Sequence, residues 1–118
     1  MTPDELKHRT KTFAIEVIKL AKTLPGDFIT AHIARQLMRS GTSVGANYRS
    51  SCRAKSEADF IAKMSTVEEE ADETGYWVEL LVETNTVLAK SVAALMSESE
   101  QLVRIVVASI KTARGRNR

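Results

Sequence analysis

The residues best suited to chemistry in this chain include two histidines, His8 and His32. Glu5 and His8 form one Glu-x-x-His pair, a spacing that di-iron bundle proteins use to bind metal. Such a site needs a second pair of this kind and two further glutamates directed inward, and the chain has no second pair. We therefore expect Glu5 and His8 to be solvated surface residues, and we expect no metal and no cofactor.

Cys52 is the only cysteine and the remaining candidate nucleophile. Arg49 and Arg53 lie near it in the sequence, and nearby arginines favour the reactive thiolate form. However, no histidine is placed beside it, and the chain has neither a phosphate-binding glycine loop nor a nucleophile elbow. We expect Cys52 to be a buried or half-buried structural residue, and we predict that the protein is not an enzyme and has no catalytic residue.

Basic residues give the clearest binding signal. If each residue of a helix advances by about 100°, four arginines of the second predicted helix fall within an arc of about 80°, and at 1.5 Å per residue their row is about 27 Å long. These arginines are Arg35, Arg39, Arg49 and Arg53. More bases follow near the end of the chain: Lys111, Arg114, Arg116 and Arg118. We predict that the four arginines of the row, together with Lys111, Arg114 and Arg116, contact a nucleic acid or a partner.

Two interpretations of the arginine row remain open. The segment 29–55 has five bases and no acid, whereas the segment 57–84 has nine acids and one base. The row can therefore pair with the acids of the third helix, Glu69, Glu70 and Glu73, within or between subunits. Alternatively, the row and the C-terminal bases contact the phosphates of RNA or DNA. The net charge of +2 is low for a nucleic-acid-binding domain, although an oligomer would multiply these bases.

A second stripe, on the back of the third predicted helix, indicates a subunit interface. Its members, Glu69, Glu73, Tyr76 and Leu80, fall within about 60° of one another. A surface helix that buries one face does not need a tyrosine and a leucine on the other. Tyr76 and Trp77 could stack on bases, but their position within WVELL favours core and interface roles.

Helix-boundary residues organise the first half of the chain. Thr2-Pro3-Asp4-Glu5 predicts a capping box at the start of a first helix. Pro25-Gly26-Asp27 should end this helix. A second helix should begin near Ile29, with Thr30 as a candidate N-cap.

The second helix has the composition of a loop. Residues 39–53, RSGTSVGANYRSSCR, contain two glycines and four serines, which favour turns. Yet Ile33, Leu37, Val44 and Tyr48 keep one apolar face through this stretch, so we predict a continuous helix over about 29–53. Two glycines inside a helix cost about 1 kcal/mol each, and we expect the small residues to offset this cost by letting another helix approach closely.

Two further helices complete the prediction. Ser56 and Asp59 indicate an N-cap for a third helix, which should end near Asn85 in a left-handed conformation. A fourth helix should run from about Leu88 to Ala113. Four amphipathic helices with short connections predict an all-α fold, an antiparallel up-down four-helix bundle over residues 1–114, followed by a disordered basic tail at 115–118.

The first residues and the overall composition indicate a cytoplasmic protein. MTPDELKHRTK is too polar for a signal peptide, and no apolar run approaches the length of a membrane span. A single cysteine cannot form an internal disulfide bond. We expect no membrane partner.

Two motifs between Gln36 and Leu81 resemble those of a known family. The first, R-S-x-x-S-V-x-A-N, is formed by Arg39, Ser40, Ser43, Val44, Ala46 and Asn47. E-x-x-E-x-x-Y-W-L-x-L-L is met by Glu70, Glu73, Tyr76, Trp77, Val78, Leu80 and Leu81. Together they resemble the 23S rRNA intervening-sequence protein family, whose members are often called four helix bundle proteins. Many members continue the first motif with I-A-E-G, whereas this chain has Tyr48-Arg49-Ser50-Ser51.

This resemblance implies a bundle that assembles into a homopentameric ring, and it supplies no catalytic residues. A distant relative, the accessory protein of diversity-generating retroelements, uses a basic barrel of this kind to bind nucleic acid and a reverse transcriptase. We therefore expect a non-enzymatic, homo-oligomeric interaction or accessory module with RNA or DNA as a candidate ligand. The alternative is a scaffold for a partner protein, in which the arginine row serves subunit contacts only.

Overall fold

Four long helices form the protein. The computed structural model describes residues 1–116, with helices α1 (Pro3–Thr23), α2 (Phe28–Ser51), α3 (Glu57–Glu83) and α4 (Ala89–Arg116). α1 and α3 each pack against α2 and α4, whereas the diagonal pairs, α1 with α3 and α2 with α4, do not approach closely within the described residues. The result is the predicted antiparallel up-down four-helix bundle, with extents of 50 × 22 × 21 Å.

Capping contacts at the start of α1 and at both ends of α3 agree with the sequence. Thr2 Oγ1 accepts the Glu5 N–H at 3.1 Å and forms the predicted capping box. The Ser56 hydroxyl accepts the Asp59 N–H at 3.1 Å at the start of α3. Beyond the end of α3, Asn85 has a φ of 59°, the predicted left-handed conformation.

The predicted cap of α2 is wrong. Asp27, not Thr30, is the N-cap residue, because its carboxylate accepts the Thr30 N–H at 3.0 Å. Asp27 also belongs to the Pro25-Gly26-Asp27 break, so it is both the last residue of the connection between α1 and α2 and the N-cap of α2. This hydrogen bond is the main cause that lowers the pKa of the Asp27 carboxyl.

The glycine- and serine-rich stretch is helical up to Ser51, and its glycines face α1. A β-carbon at Gly41 would lie 2.7 Å from both γ-carbons of Val17, and one at Gly45 would lie 3.3 Å from Thr10 Oγ1. Val17 and Thr10 are fully buried. The predicted close approach of another helix is therefore confirmed, and α1 is the helix that approaches.

Small hydroxyl side chains join α2, α3 and α4 at one level of the bundle. Thr74 Oγ1 donates to Ser40 Oγ at 3.0 Å, which connects α3 to α2. Ser99 Oγ donates to the Ala71 carbonyl at 2.8 Å, which connects α4 to α3. These three hydroxyl side chains are buried. We call this set the hydroxyl belt.

The core is aliphatic, as the small number of aromatic residues predicts. The apolar stripe of α2 is buried as predicted, and Val92, Ser99 and Ala113 of α4 are buried as well. The Arg9 guanidinium holds Glu98 with two hydrogen bonds of 2.6 and 2.7 Å. This ion pair links α1 to α4, the two helices at the ends of the chain order.

Two helix ends differ from the prediction. α2 stops at Ser51, because the Arg53 and Ala54 N–H groups bond carbonyls three residues back, so Arg53 lies in the connection. α4 runs through Arg116, beyond the predicted end at Ala113, since Gly115 does not adopt a positive φ that would end it. Residues 117–118 of the predicted tail lie outside the described residues.

Candidate nucleic-acid interface

The arginine row divides between two neighbouring helices. Arg39 turns toward α3, where its guanidinium donates to Glu70 at 3.2 Å and also to Glu73. The hydrogen bond to Glu73 is the largest of the contacts that raise the pKa of Arg39. One arginine of the four is thus paired within the chain with acids of the third helix. Arg35 is exposed and forms no ion pair with the described residues.

The back of α3 is only partly available for a subunit contact. Glu73 is engaged within the chain, because it also accepts the Trp77 Nε1–H at 3.0 Å. Trp77 is half-buried, and its ring lies 5.1 Å from the Tyr76 ring. Glu69 and Tyr76 are exposed and Leu80 is half-buried, so these three remain accessible.

A groove between α1 and α2 gathers the other end of the row with bases of α1. A depression of about 460 Å³ is lined by Lys7, Arg49 and Arg53, and an adjoining one of about 530 Å³ adds His8 and Lys11. We call these five residues the basic groove. Its floor consists of small residues: Ala14, Thr42, Gly45 and Ala46. Within residues 1–116 no acidic side chain and no Phe, Tyr or Trp lines either depression.

The antiparallel topology brings more bases to the same end of the bundle. The start of α1, the connection between α2 and α3 and the last turns of α4 meet there around a cavity of about 860 Å³, which Lys7, Lys55 and Arg116 line. Because Lys7 also lines the basic groove, the bases form one continuous surface. We call it the basic end, and it comprises Lys7, Arg49, Arg53, Lys55 and Arg116.

The predicted contact residues are therefore not equivalent. Lys111 and Arg114 are exposed on the last turns of α4, near the basic end. Arg116 lies within it but is 3.5 Å from Glu57, which neutralises part of its charge. Arg35 and Arg39 lie earlier in α2, away from the basic end.

Sequence reasoning missed the contribution of α1. Lys7 and Lys11 are one helical turn apart on the flank of the Leu6 and Phe13 stripe, a spacing visible in the sequence. What the sequence did not show is that this flank faces the arginines of α2. That placement depends on which side of α1 the glycines of α2 approach.

Cys52 is exposed at the basic end, so the prediction of a buried or half-buried side chain is wrong. It follows the last residue of α2, in the tight turn that leaves the helix. Its neighbour Tyr48 is buried, and burial is the main cause that raises the pKa of the Tyr48 phenol. Among the described residues no three His, Cys, Asp or Glu side chains lie close enough to hold a metal ion.

The fold and this surface define an all-α four-helix-bundle protein with a basic end. Residues 5–108 match the family model described as 23S rRNA-intervening sequence protein, so the chain belongs to this family. It is also similar to the crystal structure of a protein of unknown function from the S23 ribosomal protein family of Bacteroides thetaiotaomicron. The two are 33% identical with a TM-score of 0.85, and the match covers 94% of this chain and 99% of the other.

No curated protein matches the chain. Family membership and fold are therefore established, while the relative is itself described as having unknown function. Within the described part of the chain, no helix has the length and hydrophobicity needed to cross a bilayer.

Proposed function

We propose that the protein is a non-enzymatic, self-associating interaction module that binds RNA or DNA through its basic end. The observation that carries the proposal is the convergence of bases from three separate segments on one end of the bundle. Lys7, Arg53 and Arg116 come from these three segments and lie around two adjoining cavities. As part of the same proposal, the module works in the cytoplasm, where its one cysteine would stay reduced.

The chemistry of the surface favours phosphates over bases as the groups contacted. Side chains of lysine and arginine bind phosphate oxygens without reading sequence. Stacking on single-stranded bases requires aromatic platforms, and in the described chain no Phe, Tyr or Trp lines the basic groove, where His8 is the one aromatic ring. Binding should therefore depend weakly on sequence and strongly on salt.

Self-association, the second part of the proposal, would multiply the basic end. A net charge of +2 per chain is low, but a homopentamer would place five basic ends in one particle. Tyr76, half of whose surface is exposed, and the neighbouring Leu80 supply apolar area for such a contact. Light scattering over a range of protein concentrations tests this part, and a monomer at all concentrations would refute it.

Fluorescence anisotropy with labelled RNA and DNA tests nucleic-acid binding. We compare the wild type with Lys7→Gln/Lys55→Gln at about 50 and about 200 mM salt. The matched control is Lys19→Gln/Lys90→Gln, which removes the same charge from exposed positions outside the basic end.

We expect the basic-end variant to bind more weakly and to lose about 2 from the slope of log affinity against log salt, since each lost phosphate contact removes about 1. The control should retain most of the wild-type affinity. Absence of binding by the wild type at micromolar concentration and low salt, or an equal loss in both variants, would refute the proposed site.

A scaffold for a partner protein is the second candidate function. The observation that favours it is the pairing of Arg39 with Glu70 and Glu73, because one arginine of the row is engaged with carboxylates of the protein itself. Self-association without any nucleic-acid binding would support this alternative.

A further inference from the structure

Opposite faces of the bundle carry opposite charge. α1 packs beside α2 and α3 beside α4, and the diagonal helices do not approach closely in the described chain. The outer face of α1 and α2 is therefore directed away from the outer face of α3 and α4. The first bears the basic groove, and the second bears a groove of about 390 Å³ between α3 and α4.

The groove between α3 and α4 combines carboxylates with apolar groups. We call it the acidic groove, and its exposed or half-buried lining residues are Asp72, Tyr76, Glu79, Met96, Glu100, Val103 and Arg104. Arg104 lies 3.9 Å from Glu100 and offsets that one acid. Asp72 and Glu79 form no ion pair with the described residues. Tyrosine with apolar neighbours and a charged rim is the composition of a protein interface.

The outer face of α1 and α2 has a complementary set at some distance from the basic end. Ile15, Lys22 and Arg35 are exposed, and we call them the upper stripe. Ile15 and Lys22 follow Lys11 of the basic groove at four and eleven residues, which keeps them on the same side of α1. Ile15 exposes 44% of its surface, so the stripe offers an apolar group in addition to two cations.

The upper stripe and the acidic groove lie at the same height along the bundle. Ser40 of α2 contacts Thr74 of α3, and the His32 ring lies 6.1 Å from the Trp77 ring. Arg35 lies between Ser40 and His32 on α2, so it is level with the middle of the acidic groove.

Lys22 belongs to the same level. Lys7 of α1 lies beside Arg49 of α2 in the basic groove. Arg35 precedes Arg49 by fourteen residues in α2. Because the helices are antiparallel, the residue of α1 that is level with Arg35 follows Lys7 by about the same number of residues, and this residue is Lys22. Two copies with parallel axes can therefore place the acidic groove of one against the upper stripe of the other without an offset along the bundle axis.

We propose that the acidic groove of one copy docks on the upper stripe of a second copy of this chain. The inference rests on the self-association proposed above and names its two surfaces. Val103, which is nearer the basic end than Tyr76, would cover Ile15, while Asp72 and Glu79 meet Lys22 and Arg35. The charge complementarity within one sequence selects a second copy as the occupant.

A contact between two different faces has a fixed consequence for assembly. Each copy offers one surface of each kind, so the contact is heterologous: it repeats from copy to copy and forms a ring if the rotation between copies closes, or an open chain if it does not. The parallel axes would place every basic end on the same side of that ring. Arg35 is about 21 Å from Arg49 along α2, so the basic end remains open.

Charge reversal of each face separately tests the contact. The acidic-face variant is Asp72→Lys/Glu79→Lys, and the basic-face variant is Lys22→Glu/Arg35→Glu. Circular dichroism checks that each variant folds, and light scattering measures its size. We expect each variant alone to be monomeric, because every contact needs both faces intact. The control Lys19→Glu/Lys90→Glu should assemble as the wild type does.

Mixing the two variants gives the decisive result. One retains an intact basic face and the other an intact acidic face, and their reversed faces are also complementary to each other, so the mixture should assemble again with the two variants alternating. A chain carrying all four substitutions has both charges exchanged and should assemble again.

Two results would overturn the docking surfaces while leaving self-association in place. One is wild-type assembly by both variants. The other is loss of assembly by the acidic-face variant alone, which would indicate a symmetric contact between acidic grooves. If the wild type is itself a monomer, both the self-association and its surfaces are refuted, whereas nucleic-acid binding is measured independently by anisotropy.

Discussion

Replacing Gly41 with alanine tests the close approach that builds the basic groove. A β-carbon at this position would lie 2.7 Å from both γ-carbons of Val17. Carbon atoms pack best at about 3.5–4.0 Å, so α1 must retreat by about 0.8 Å or Val17 must leave its rotamer. Val17 is fully buried, which leaves it no open space to enter.

Two opposing effects set the size of the change. Alanine is favoured over glycine inside a helix by about 1 kcal/mol. Overpacking a well-filled core costs about 1–3 kcal/mol. We therefore expect Gly41→Ala to lower the free energy of unfolding by up to about 2 kcal/mol, although helix propensity alone predicts an increase.

Urea denaturation followed by circular dichroism measures the difference at one fixed protein concentration, because self-association would otherwise shift the midpoint. With a slope of about 2 kcal/mol per molar urea, a loss of 1 kcal/mol moves the midpoint by about 0.5 M. Gly115→Ala is the matched control, since its β-carbon would meet nothing within 4 Å. If Gly41→Ala is stabilised as much as Gly115→Ala, the close packing of α1 on α2 is refuted.

Two further substitutions test the charged contacts. Asp59 accepts hydrogen bonds from the Lys63 ammonium and the Lys55 N–H, and these lower its pKa below 3.8, with Lys63 the larger cause. A carboxyl group whose pKa is lower in the folded state stabilises the fold at any pH above its pKa in the unfolded state. This stability is lost as the pH falls through its pKa in the folded state. Asp59→Asn should therefore be less stable than the wild type at neutral pH, and it should lose less stability on acidification. Urea midpoints of both proteins at several pH values measure the difference. Midpoints that change with pH in the same way in both proteins would contradict the expectation. Arg39→Gln removes the ion pairs to Glu70 and Glu73, so its midpoint should fall slightly, and the gap to the wild type should narrow in high salt because exposed pairs are screened. A gap that does not change with salt would indicate a packing role for Arg39 instead.

The helices were predictable because their apolar residues repeat at helical spacing. In α2 the stripe from Ile33 to Tyr48 correctly outweighed a composition typical of loops, since tertiary packing overrides propensity. The boundaries were less predictable. Asp27 and Thr30 are both good capping residues, and only the backbone geometry selects Asp27. The helical state of Gly115 depends on φ, which glycine leaves undetermined.

The candidate site was only half visible in the sequence. A helical wheel gives the arginine row, but it does not say which neighbour each arginine faces. Arg39 and Arg49 lie on the same outer side of α2, yet one turns to α3 and the other to α1. The contribution of Lys7 and Lys11 requires knowledge of helix packing. The acidic groove combines two helices whose relative register the sequence does not state.

The hydroxyl belt has a consequence for how the helices can move. In a bundle filled only with aliphatic side chains, one helix can shift along another by a turn, about 5.4 Å, with little change in buried area. Here such a shift would part the Thr74 hydroxyl from Ser40 and the Ser99 hydroxyl from the Ala71 carbonyl. These hydrogen bonds oppose sliding of α2, α3 and α4 along one another. The charged groups on the outside of these helices therefore keep a fixed position along the bundle axis.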